Sequence, residues 1–318
     1  MTKYINMHMS ENILKISILG ANGRMGSAIA LKALKDTYSS LNLINSKEEN
    51  KTRNNTTQCN QINNNKNAMI HSLIARKTED INELNNLIQG FVRDLTAEYN
   101  LTAEYESTKE SIKYKENLVN ESKILNIIQE IKEIKISTDI NCTKGCDVLL
   151  DFSHYESTPS HCKFAASNNI PILIGTTGNH EPEDYNSYSK STPIMWAPNT
   201  SLIWNLFSIA MKVLSSEDKD ISFVAGDVHH ENKKDKPSGT MKKLNRDINL
   251  ESIWSIRKGD MVSWNQILGV SSSENVRIEH QVLNRESYAI GAINAAIWLT
   301  KQKKNGIYSM HDFIKEKI

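Results

Sequence analysis

The residues whose types and order could do chemistry are concentrated in residues 227–240, which read D-V-H-H-E-N-K-K-D-K-P-S-G-T. Of the adjacent histidines, His229 or His230 offers a proton donor that titrates near neutrality. The lysines that follow supply point cations for an anion, and the Ser-Gly-Thr turn offers backbone N–H groups and hydroxyls to carboxylate oxygens. The stretch is not simply a basic patch, because its acidic residues balance its lysines. Together these groups predict a site that holds a small dicarboxylate and protonates it.

A glycine-rich turn near the N-terminus, Gly20-Ala-Asn-Gly-Arg-Met-Gly26, predicts a second kind of site. The β-branched apolar residues 13–19 precede it and predict a buried parallel strand, and the Ala-rich residues 27–34 predict a helix after it. In this context the glycines allow a tight turn, the approach of a pyrophosphate to the backbone, and close packing of the helix on the strand. We interpret the turn as dinucleotide-binding, with a plain β-turn-α junction as the alternative.

The charges that follow the second predicted strand, residues 68–75, bear on which dinucleotide is bound. In such folds an acidic residue about 20 positions beyond the glycines holds the ribose 2′-hydroxyl. The separation between Gly20 and Arg76 approaches that value once residues 39–67 are left out of the count. These residues are rich in Asn, Lys and Gln and predict a disordered surface insertion. Arg76 and Lys77 occupy the position, and two cations suit a 2′-phosphate better than a hydroxyl pair. We therefore expect NADPH to be preferred over NADH; two solvated charges at a strand end are the alternative.

A long charged segment, residues 78–136, predicts a further insertion without a catalytic role. Apolar residues three and four positions apart predict an amphipathic helix over residues 81–95. A tandem six-residue repeat occupies residues 95–106, and residues 124–136 again have a helix-like composition. A duplication that contains no cluster of chemically active residues indicates an insertion whose sequence is free to change, rather than a functional site.

The parallel-sheet pattern resumes with residues 147–150, which lead into Asp151-Phe-Ser153. A predicted helix over residues 157–168 is followed by a strand at residues 170–174, which ends in Gly175-Thr-Thr-Gly178. Ligands of open α/β sheets bind beyond the carboxyl ends of the strands. The segment 175–178 is therefore predicted to let a nicotinamide ribose or a substrate carboxylate come close.

The C-terminal part of the chain predicts a different sheet. Residues 193–196 form a strand before Ala-Pro-Asn-Thr-Ser at 197–201, and an apolar helix continues to Leu214. From Asp220 the pattern becomes antiparallel, with strands predicted at residues 221–228, 254–257, 261–270 and 276–283. The last of these alternates apolar and polar residues, as in a sheet with one solvent-exposed face. An Ala-rich helix over residues 288–299 and a polar tail complete the chain.

These elements predict an α/β protein in which a Rossmann-type parallel-sheet domain with large polar insertions is joined to a smaller α+β domain. The second domain has a mixed open sheet and would serve substrate binding and oligomerisation. We place the dinucleotide-binding domain at residues 13–200 and 286–318, with insertions at 39–67 and about 78–136. The substrate domain then spans residues 201–285.

The overall composition excludes several classes of protein. The 318 residues carry 38 Lys+Arg against 37 Asp+Glu, a formal charge of +1, so neither nucleic acid nor an anionic membrane is an expected partner. Of the four cysteines, Cys142 and Cys146 have no matching second pair, so neither a zinc site nor a disulfide framework is predicted. We find no signal-peptide pattern and no apolar run long enough to span a membrane. We expect a soluble cytoplasmic protein without a metal.

Six motifs lie in a fixed order along the chain: G-A-N-G-R-M-G at 20–26, D-F-S at 151–153, G-T-T-G at 175–178, A-P-N-T-S at 197–201, H-H-x-x-K-x-D-x-P-S-G-T at 229–240 and R-x-x-Y-A-x-G-A at 285–292. In order and spacing they closely resemble the dihydrodipicolinate reductase family of bacterial lysine and diaminopimelate biosynthesis. The resemblance covers the chain outside the insertions. The chain departs from the family pattern at Thr200, where an aromatic residue is common. It also lacks a Gly/Arg-rich loop between Thr240 and Trp254.

The resemblance implies NAD(P)H-dependent reduction of 4-hydroxy-tetrahydrodipicolinate, or of dihydrodipicolinate, to tetrahydrodipicolinate. It implies that His229 and Lys233 are proton donors. It implies a substrate site made of His230, Lys233, Ser238, Gly239, Thr240 and Thr177. It implies cofactor contacts by Gly20, Ala21, Asn22, Gly23, Arg24, Met25, Arg76, Lys77, Gly175, Thr176, Thr177, Ala197, Pro198, Asn199 and Thr200. It also implies a homotetramer built by the substrate domain.

Three other interpretations are open at this point. The chain could be a degenerate cofactor-binding paralogue with little or no turnover. It could be another Rossmann oxidoreductase, such as a semialdehyde dehydrogenase, but this needs a nucleophilic cysteine and Cys162 falls inside a predicted helix. It could be a metal enzyme using His229 and His230, although adjacent residues of a strand point to opposite faces and would ligate one ion awkwardly.

Overall fold

The inner strands of the larger sheet form where short apolar runs are buried on both faces. The computed structural model describes residues 14–49, 68–98, 128–217 and 220–316. These fall into two compact units, which divide after Asp147. The larger sheet has seven strands, and a separate sheet has four. The parallel sheet with its helices and the second, mixed sheet confirm the predicted fold class.

The first unit is a β-α-β-α-β arrangement. Its elements are β1 (Leu14–Leu19), α1 (Arg24–Glu49), β2 (Ala68–Ile74), α2 (Asp80–Glu98) and β3 (Lys135–Ser137). The three strands are parallel neighbours in the order β1-β2-β3, with Leu19 opposite Ile74 and Ile74 opposite Ser137. The carboxyl ends of β1 and β2 therefore lie side by side, which places the glycine turn after β1 next to the residues that follow β2.

Two predictions for this unit are wrong in part. Helix α1 continues to Glu49, so residues 39–49 are helical and not a disordered insertion. No glycine or proline interrupts residues 27–49, and helix propagation is favourable once a helix is nucleated. Residues 135–137 form β3 and not the end of a helix, because pairing with β2 overrides the local helix-like composition. Residues 50–67 and 99–127, including most of the tandem repeat, lie outside the described residues.

The second unit contributes the other four strands of the larger sheet and all of the smaller one. Its elements are β4 (Val148–Asp151), α3 (Thr158–Asn168), β5 (Ile172–Ile174), β6 (Pro193–Trp196), α4 (Leu202–Glu217), β7 (Ser222–His229), α5 (Gly239–Ile248), β8 (Ser252–Arg257), β9 (Ser263–Val270), β10 (Asn275–Val282), α6 (Glu286–Leu299), β11 (Gly306–Ser309) and α7 (Met310–Lys315). In the larger sheet the order of its strands is β11-β6-β5-β4, with parallel pairing throughout.

The polar C-terminal tail has more structure than its sequence indicates. Gly306 pairs with Pro193 and Ser309 with Trp196, so β11 extends the parallel sheet beyond β6. Helix α7 then begins with a capping box between Ser309 and Asp312. The strand is short and its side chains are only half buried, so it carries little of the periodicity from which a strand is predicted.

The smaller sheet has the order β10-β9-β7-β8. The pairs β10–β9 and β9–β7 are antiparallel, whereas β7 and β8 are parallel and are connected through α5. The antiparallel pattern predicted from Asp220 is therefore found in two of the three strand pairs, and the predicted mixed sheet is confirmed. One face of the sheet packs on α4 and α5 around a hydrophobic cluster: Trp204, Met211, Phe223, Ala225, Met241, Leu244, Ile248, Leu250 and Ile267.

The alternation predicted for the last strand is confirmed, because His280 and Val282 of β10 are buried while their neighbours Glu279 and Gln281 are exposed. No helix in the described parts of the chain is both long and apolar enough to cross a membrane.

Candidate active site

The glycine turn of the first unit has the geometry of an anion-binding strand–helix junction. Gly20 adopts φ 74°, and the N–H groups of Gly20 and Ala21 donate to the Ile74 carbonyl. A Cβ atom at Gly26 would lie 2.3 Å from the Gly20 carbonyl oxygen, so only glycine lets the helix pack this closely on the turn. Helix α1 begins at Arg24, and the N-terminal N–H groups of a helix favour phosphate. The residues present fit the pyrophosphate of a dinucleotide.

Arg76 and Lys77 follow β2 after one intervening residue, Ala75, and are exposed. The backbone N–H of Lys77 donates to the Asp80 carboxylate at the start of α2. Since Leu19 pairs with Ile74, the two cations lie at the same edge of the sheet as the glycine turn. This is the position at which a 2′-phosphate is read in dinucleotide-binding folds.

In the second unit, the segment 175–178 is anchored on Asp151 at the end of β4. The N–H groups of Gly175 and Thr176 donate to the Asp151 carbonyl at 2.9 and 3.1 Å, and the Thr176 hydroxyl donates to the Asp151 carboxylate at 3.1 Å. His180 Nε2 donates to the Thr176 carbonyl at 3.0 Å, and its Nδ1 accepts from the Tyr185 hydroxyl. These contacts hold Thr176 from both sides and fix the backbone of the segment.

The Asp151 carboxylate is fully buried and satisfied by neighbours that the sequence analysis did not assign. It accepts from the N–H and hydroxyl of Ser153 and from His161 Nδ1, the last at 3.0 Å. Burial alone would raise the pKa of Asp151, but the hydrogen bonds from His161 and Ser153 hold it below its ordinary value. His161 lies on α3, ten positions from Asp151, and no spacing rule predicts that contact.

Three of the predicted segments meet at Gly239. A Cβ atom at Gly239 would lie 3.2 Å from Thr177 Cγ2 and 3.6 Å from Pro198 Cβ. Next to it, the Asn199 side-chain amide donates to the Thr240 hydroxyl at 2.9 Å. The structure therefore brings together predicted residues that are separated by up to 63 positions in the chain, counted from Thr177 to Thr240.

Asn199 and Thr200 also organise the start of α4. Asn199 Oδ1 accepts from the Ser201 N–H, and the Asn199 carbonyl accepts from the Asn205 amide. Thr200 is buried, and its hydroxyl donates to the Tyr288 carbonyl on α6 at 2.8 Å. The side chain that stands where the family commonly has an aromatic residue is thus used to hold α6. A role for Thr200 in cofactor binding stays a prediction.

The Ser-Gly-Thr turn forms the N-terminus of α5. Ser238 is the N-cap residue, with its hydroxyl accepting from the Met241 N–H at 3.3 Å. The Ser238 N–H donates to Asp227 Oδ2 at 2.9 Å, and the Gly239 N–H donates to Asp235 Oδ2 at 3.2 Å. The sequence predicted N–H donors in this turn, and the structure shows that chain carboxylates accept from two of them.

A buried ion pair stabilises the Ser-Gly-Thr turn. Arg257 Nη1 donates to Asp227 Oδ1 at 2.7 Å, and Arg257 Nη2 donates to the Asp235 carbonyl at 2.7 Å. Burial raises the pKa of Asp227, but the hydrogen bonds from Ser238 and Arg257 outweigh it and lower the pKa overall. The sequence analysis missed Arg257, because only the parallel pairing of β7 with β8 places it opposite His229.

His229, at the end of β7, is buried and oriented by one hydrogen bond. Its Nδ1 donates to the Val262 carbonyl at 2.9 Å, and Nε2 has no hydrogen-bond partner among the described residues. Burial and, secondly, Lys233 lower the pKa of His229 to about 4. The expectation that this imidazole titrates near neutrality is therefore wrong for the structure as it stands, because burial of the ring and the charge of Lys233 both oppose protonation. His230 is also buried, and its carbonyl accepts from the Lys233 N–H.

Lys233, the second predicted proton donor, forms an ion pair with Asp235 at 2.7 Å. Burial raises the pKa of Asp235, but the charge and hydrogen bond of Lys233, together with backbone hydrogen bonds that include the Gly239 N–H, lower it overall, so the carboxyl is ionised at neutral pH. Lys233, Asp235 and Gly239 thus form one hydrogen-bonded group at the start of α5.

The cysteine chemistry of the alternative interpretation finds no support in the geometry. Cys162 is fully buried within α3, as predicted, and burial followed by the charge of Asp151 raises the pKa of its thiol. A buried thiol that stays protonated is a poor nucleophile.

The larger, parallel sheet carries a glycine turn of the kind that binds phosphate, and the smaller sheet carries a histidine, a lysine and backbone donors. This combination defines an NAD(P)H-dependent oxidoreductase. Residues 85–200 match the family model for the N-terminus of dihydrodipicolinate reductase, and residues 200–314 match the model for its C-terminus. The chain belongs to the dihydrodipicolinate reductase family.

Individual relatives agree with this assignment. The chain is 33% identical over 226 residues to 4-hydroxy-tetrahydrodipicolinate reductase of Rickettsia peacockii (strain Rustic), covering 60% of this chain and 93% of that one. It is 34% identical over 217 residues to the reductase of Buchnera aphidicola subsp. Schizaphis graminum (strain Sg), covering 58% and 78%. The fold is similar to the solved structure of dipicolinate-bound dihydrodipicolinate reductase from Paenisporosarcina sp. TG-14, with a TM-score of 0.56, 16% identity and coverage of 93% and 98%.

Proposed function

We propose that this chain reduces 4-hydroxy-tetrahydrodipicolinate, or dihydrodipicolinate derived from it, to tetrahydrodipicolinate in lysine and diaminopimelate biosynthesis. The observation that carries the proposal is the meeting of Thr177, Pro198 and Asn199 with Gly239 and Thr240. It brings together, from three separate segments, a group of polar donors at a helix N-terminus. A dicarboxylate needs such donors at its ends.

The residues would divide the work as follows. The Lys233 ammonium, the Thr177, Ser238 and Thr240 hydroxyls and the Gly239 N–H would bind carboxylate oxygens, together with His230. The Nδ1 hydrogen bond to Val262 fixes the His229 ring, so that Nε2 is the atom that would hold and release a proton. A bound dianion would offset the effect of Lys233 on His229 and raise its pKa, which favours the protonated donor when substrate is present.

The dinucleotide, when bound, supplies the hydride. Residues 20–25 would hold its pyrophosphate at the start of α1, and residues 175–177 and 197–200 would position the nicotinamide end. The exposed pair Arg76 and Lys77 supports a preference for NADPH, because each offers a cation to a 2′-phosphate at the correct strand end. NADH lacks that phosphate and would gain nothing from the pair.

The outer face of the smaller sheet supports a homotetramer. Ile256 and Val270 are 49% and 42% exposed, and Trp254, Trp264 and Leu268 alternate with the residues that face the core. Exposed apolar side chains on a sheet face are stabilised when another copy of the chain covers them. Light scattering coupled to size-exclusion chromatography should give four times the mass of one chain. A monomer at micromolar concentration would contradict this assembly.

A coupled assay tests the activity. A dihydrodipicolinate synthase would generate the substrate in situ, and the loss of reduced-nicotinamide absorbance would be followed with NADPH and with NADH. We expect oxidation that depends on the synthase product and is faster with NADPH. A folded protein that binds NADPH but oxidises neither cofactor would favour the alternative of a degenerate paralogue, and would direct attention to the missing loop between Thr240 and Trp254.

A further inference from the structure

One carboxylate of the chain accepts from two donors that the proposed function assigns to the substrate. Asp235 Oδ1 accepts from Lys233 Nζ at 2.7 Å, and Asp235 Oδ2 accepts from the Gly239 N–H at 3.2 Å. These are one cation and one helix N-terminal amide, the combination that binds a carboxylate ligand at the start of a helix. Asp235 therefore makes the contacts expected of a substrate carboxylate.

The position of Asp235 suits a temporary occupant better than a structural anchor. The turn from 235 to 239 is held by other bonds: Arg257 donates to the Asp235 carbonyl, and the Ser238 N–H donates to Asp227. Neither of these bonds uses the Asp235 carboxylate. Its side chain can therefore move without releasing the backbone of the turn.

When no ligand is bound, the contact with Asp235 also gives the Lys233 and Gly239 donors a hydrogen-bond partner. The side chains of Lys233 and Asp235 are each only 19% exposed, so water satisfies them incompletely. A polar group that is mostly buried and unpaired is destabilising, and the local carboxylate removes that cost. A ligand carboxylate can accept from both Lys233 and Gly239 in place of Asp235. A neutral ring whose acceptor oxygens carry less charge cannot replace both bonds.

We propose that Asp235 is a specificity-determining residue whose carboxylate takes the place of one substrate carboxylate and is displaced from Lys233 and Gly239 when a dicarboxylate binds. The inference rests on the proposed function, because it assumes that these donors bind substrate. The affinity of the site for a ligand then depends on how much more strongly Lys233 and Gly239 bind the ligand carboxylate than the carboxylate of Asp235. The site thereby selects ligands whose carboxylate charge matches that of Asp235.

The test compares binding of dipicolinate, a stable planar dicarboxylate, by the full-length protein and two variants in isothermal titration calorimetry. Asp235→Asn keeps the size of the side chain and removes the competing charge. Asp247→Asn is the matched control, because Asp247 forms a similar ion pair with Lys243 on α5, with side chains 18% and 17% exposed. We expect Asp235→Asn to lower the Kd of dipicolinate by about threefold or more, as follows from removing a like charge close to the ligand. Asp247→Asn should leave it unchanged.

A neutral ligand of the same shape separates charge competition from a change of fold. Pyridine-2,6-dicarboxamide should gain less affinity than dipicolinate in Asp235→Asn, since it carries no charge that the Asp235 carboxylate repels. Equal or weaker dipicolinate binding by Asp235→Asn, with binding by the wild-type protein intact, would overturn the inference and leave the proposed function standing. Absence of dipicolinate binding by the folded wild-type protein would overturn both.

A second measurement needs no variant and covers the case in which Asp235→Asn does not fold. In a crystal structure of the wild-type protein with dipicolinate, Lys233 Nζ and the Gly239 N–H should lie within hydrogen-bond distance of a ligand carboxylate, with Asp235 turned away from both. Retention of both Asp235 contacts beside bound dipicolinate would overturn the inference.

Discussion

Arg257 and Asp227 form an ion pair of 2.7 Å in which the two side chains are only 10% and 0% exposed. The pair joins β8 to β7, and through the second oxygen of Asp227 it also holds the Ser238 N–H. The pair therefore fixes the position of the turn that begins α5 relative to strands β7 and β8. Neither residue was assigned a role by the sequence motifs, although Asp227 lies within the stretch that they single out.

Arg257→Gln should lower both stability and substrate affinity, because it leaves the buried Asp227 carboxylate without its cation. Breaking a buried ion pair on one side typically costs about 3–5 kcal/mol of stability. We expect a loss near the lower end in urea unfolding, since Ser238 still donates to Asp227, together with a raised KM for the dicarboxylate. Arg246→Gln is the control: Arg246 pairs with Glu181, the two side chains are 43% and 51% exposed, and the change should alter stability by less than about 0.5 kcal/mol. Equal effects of the two variants would contradict the role of Arg257.

His229→Gln tests the proton-donor assignment. General acid catalysis by a positioned histidine contributes roughly 10²-fold or more, so kcat should fall by about that factor while the Kd of dipicolinate changes little. His311→Gln replaces another buried histidine, on α7, and should leave kcat within about twofold of wild type. An unchanged kcat in His229→Gln would remove this residue from the chemical step.

Thr176→Val should destabilise the protein and weaken ligand binding by the segment 175–178. The Thr176 hydroxyl is buried and donates to both the carbonyl and the carboxylate of Asp151, and losing it should cost about 1–3 kcal/mol. Thr192 is an internal control, since its buried hydroxyl has no hydrogen-bond partner in the part of the chain that the structure describes. Thr192→Val should be neutral or stabilising in thermal unfolding. A loss of stability of the same size at both positions would show that the bonds to Asp151 do not matter.

Replacing Arg76 and Lys77 together by Ala should raise the KM for NADPH by about tenfold and that for NADH much less, because only NADPH carries the 2′-phosphate. Lys144→Ala removes an exposed cation elsewhere in the same unit and should not change the ratio of the two KM values. Equal changes for both cofactors in the double variant would mean that this corner does not read the 2′-phosphate.

Stability should fall as the pH drops from about 6.5 towards 4. Burial first, and then Lys233 for His229 and Lys243 for His311, lower the pKa of each imidazole to about 4, against about 6.5 in the unfolded chain. Across this window the unfolded chain binds protons that the folded chain does not, so unfolding is favoured as protons are added. Each histidine should cost about 1–2 kcal/mol at pH 5 relative to pH 7.5. In urea unfolding, His311→Gln should show a smaller loss between these two pH values than the wild-type protein; the same loss would contradict the assignment.

The predictable parts of the fold are those with strong local patterns. The strand at residues 13–19, the glycine turn and the Ala-rich helix near the C-terminus were predicted because burial, tight turns and helix packing restrict residue type locally. Strand β11 could not be predicted, because four half-buried residues have too little periodicity, and their strand conformation depends on pairing with β6.

For the candidate site, the sequence by itself determined which groups are available: a histidine pair, a lysine, a Ser-Gly-Thr turn and a glycine-rich turn at a helix start. These depend on residue type and short spacing, which are local properties. Only the tertiary structure decided that Thr177 and Pro198 meet Gly239, that Arg257 pairs with Asp227, and that Asp235 accepts from Lys233 and Gly239. It also decided that His229 has a pKa near 4, because desolvation and the charge of Lys233 depend on which surfaces pack around the ring.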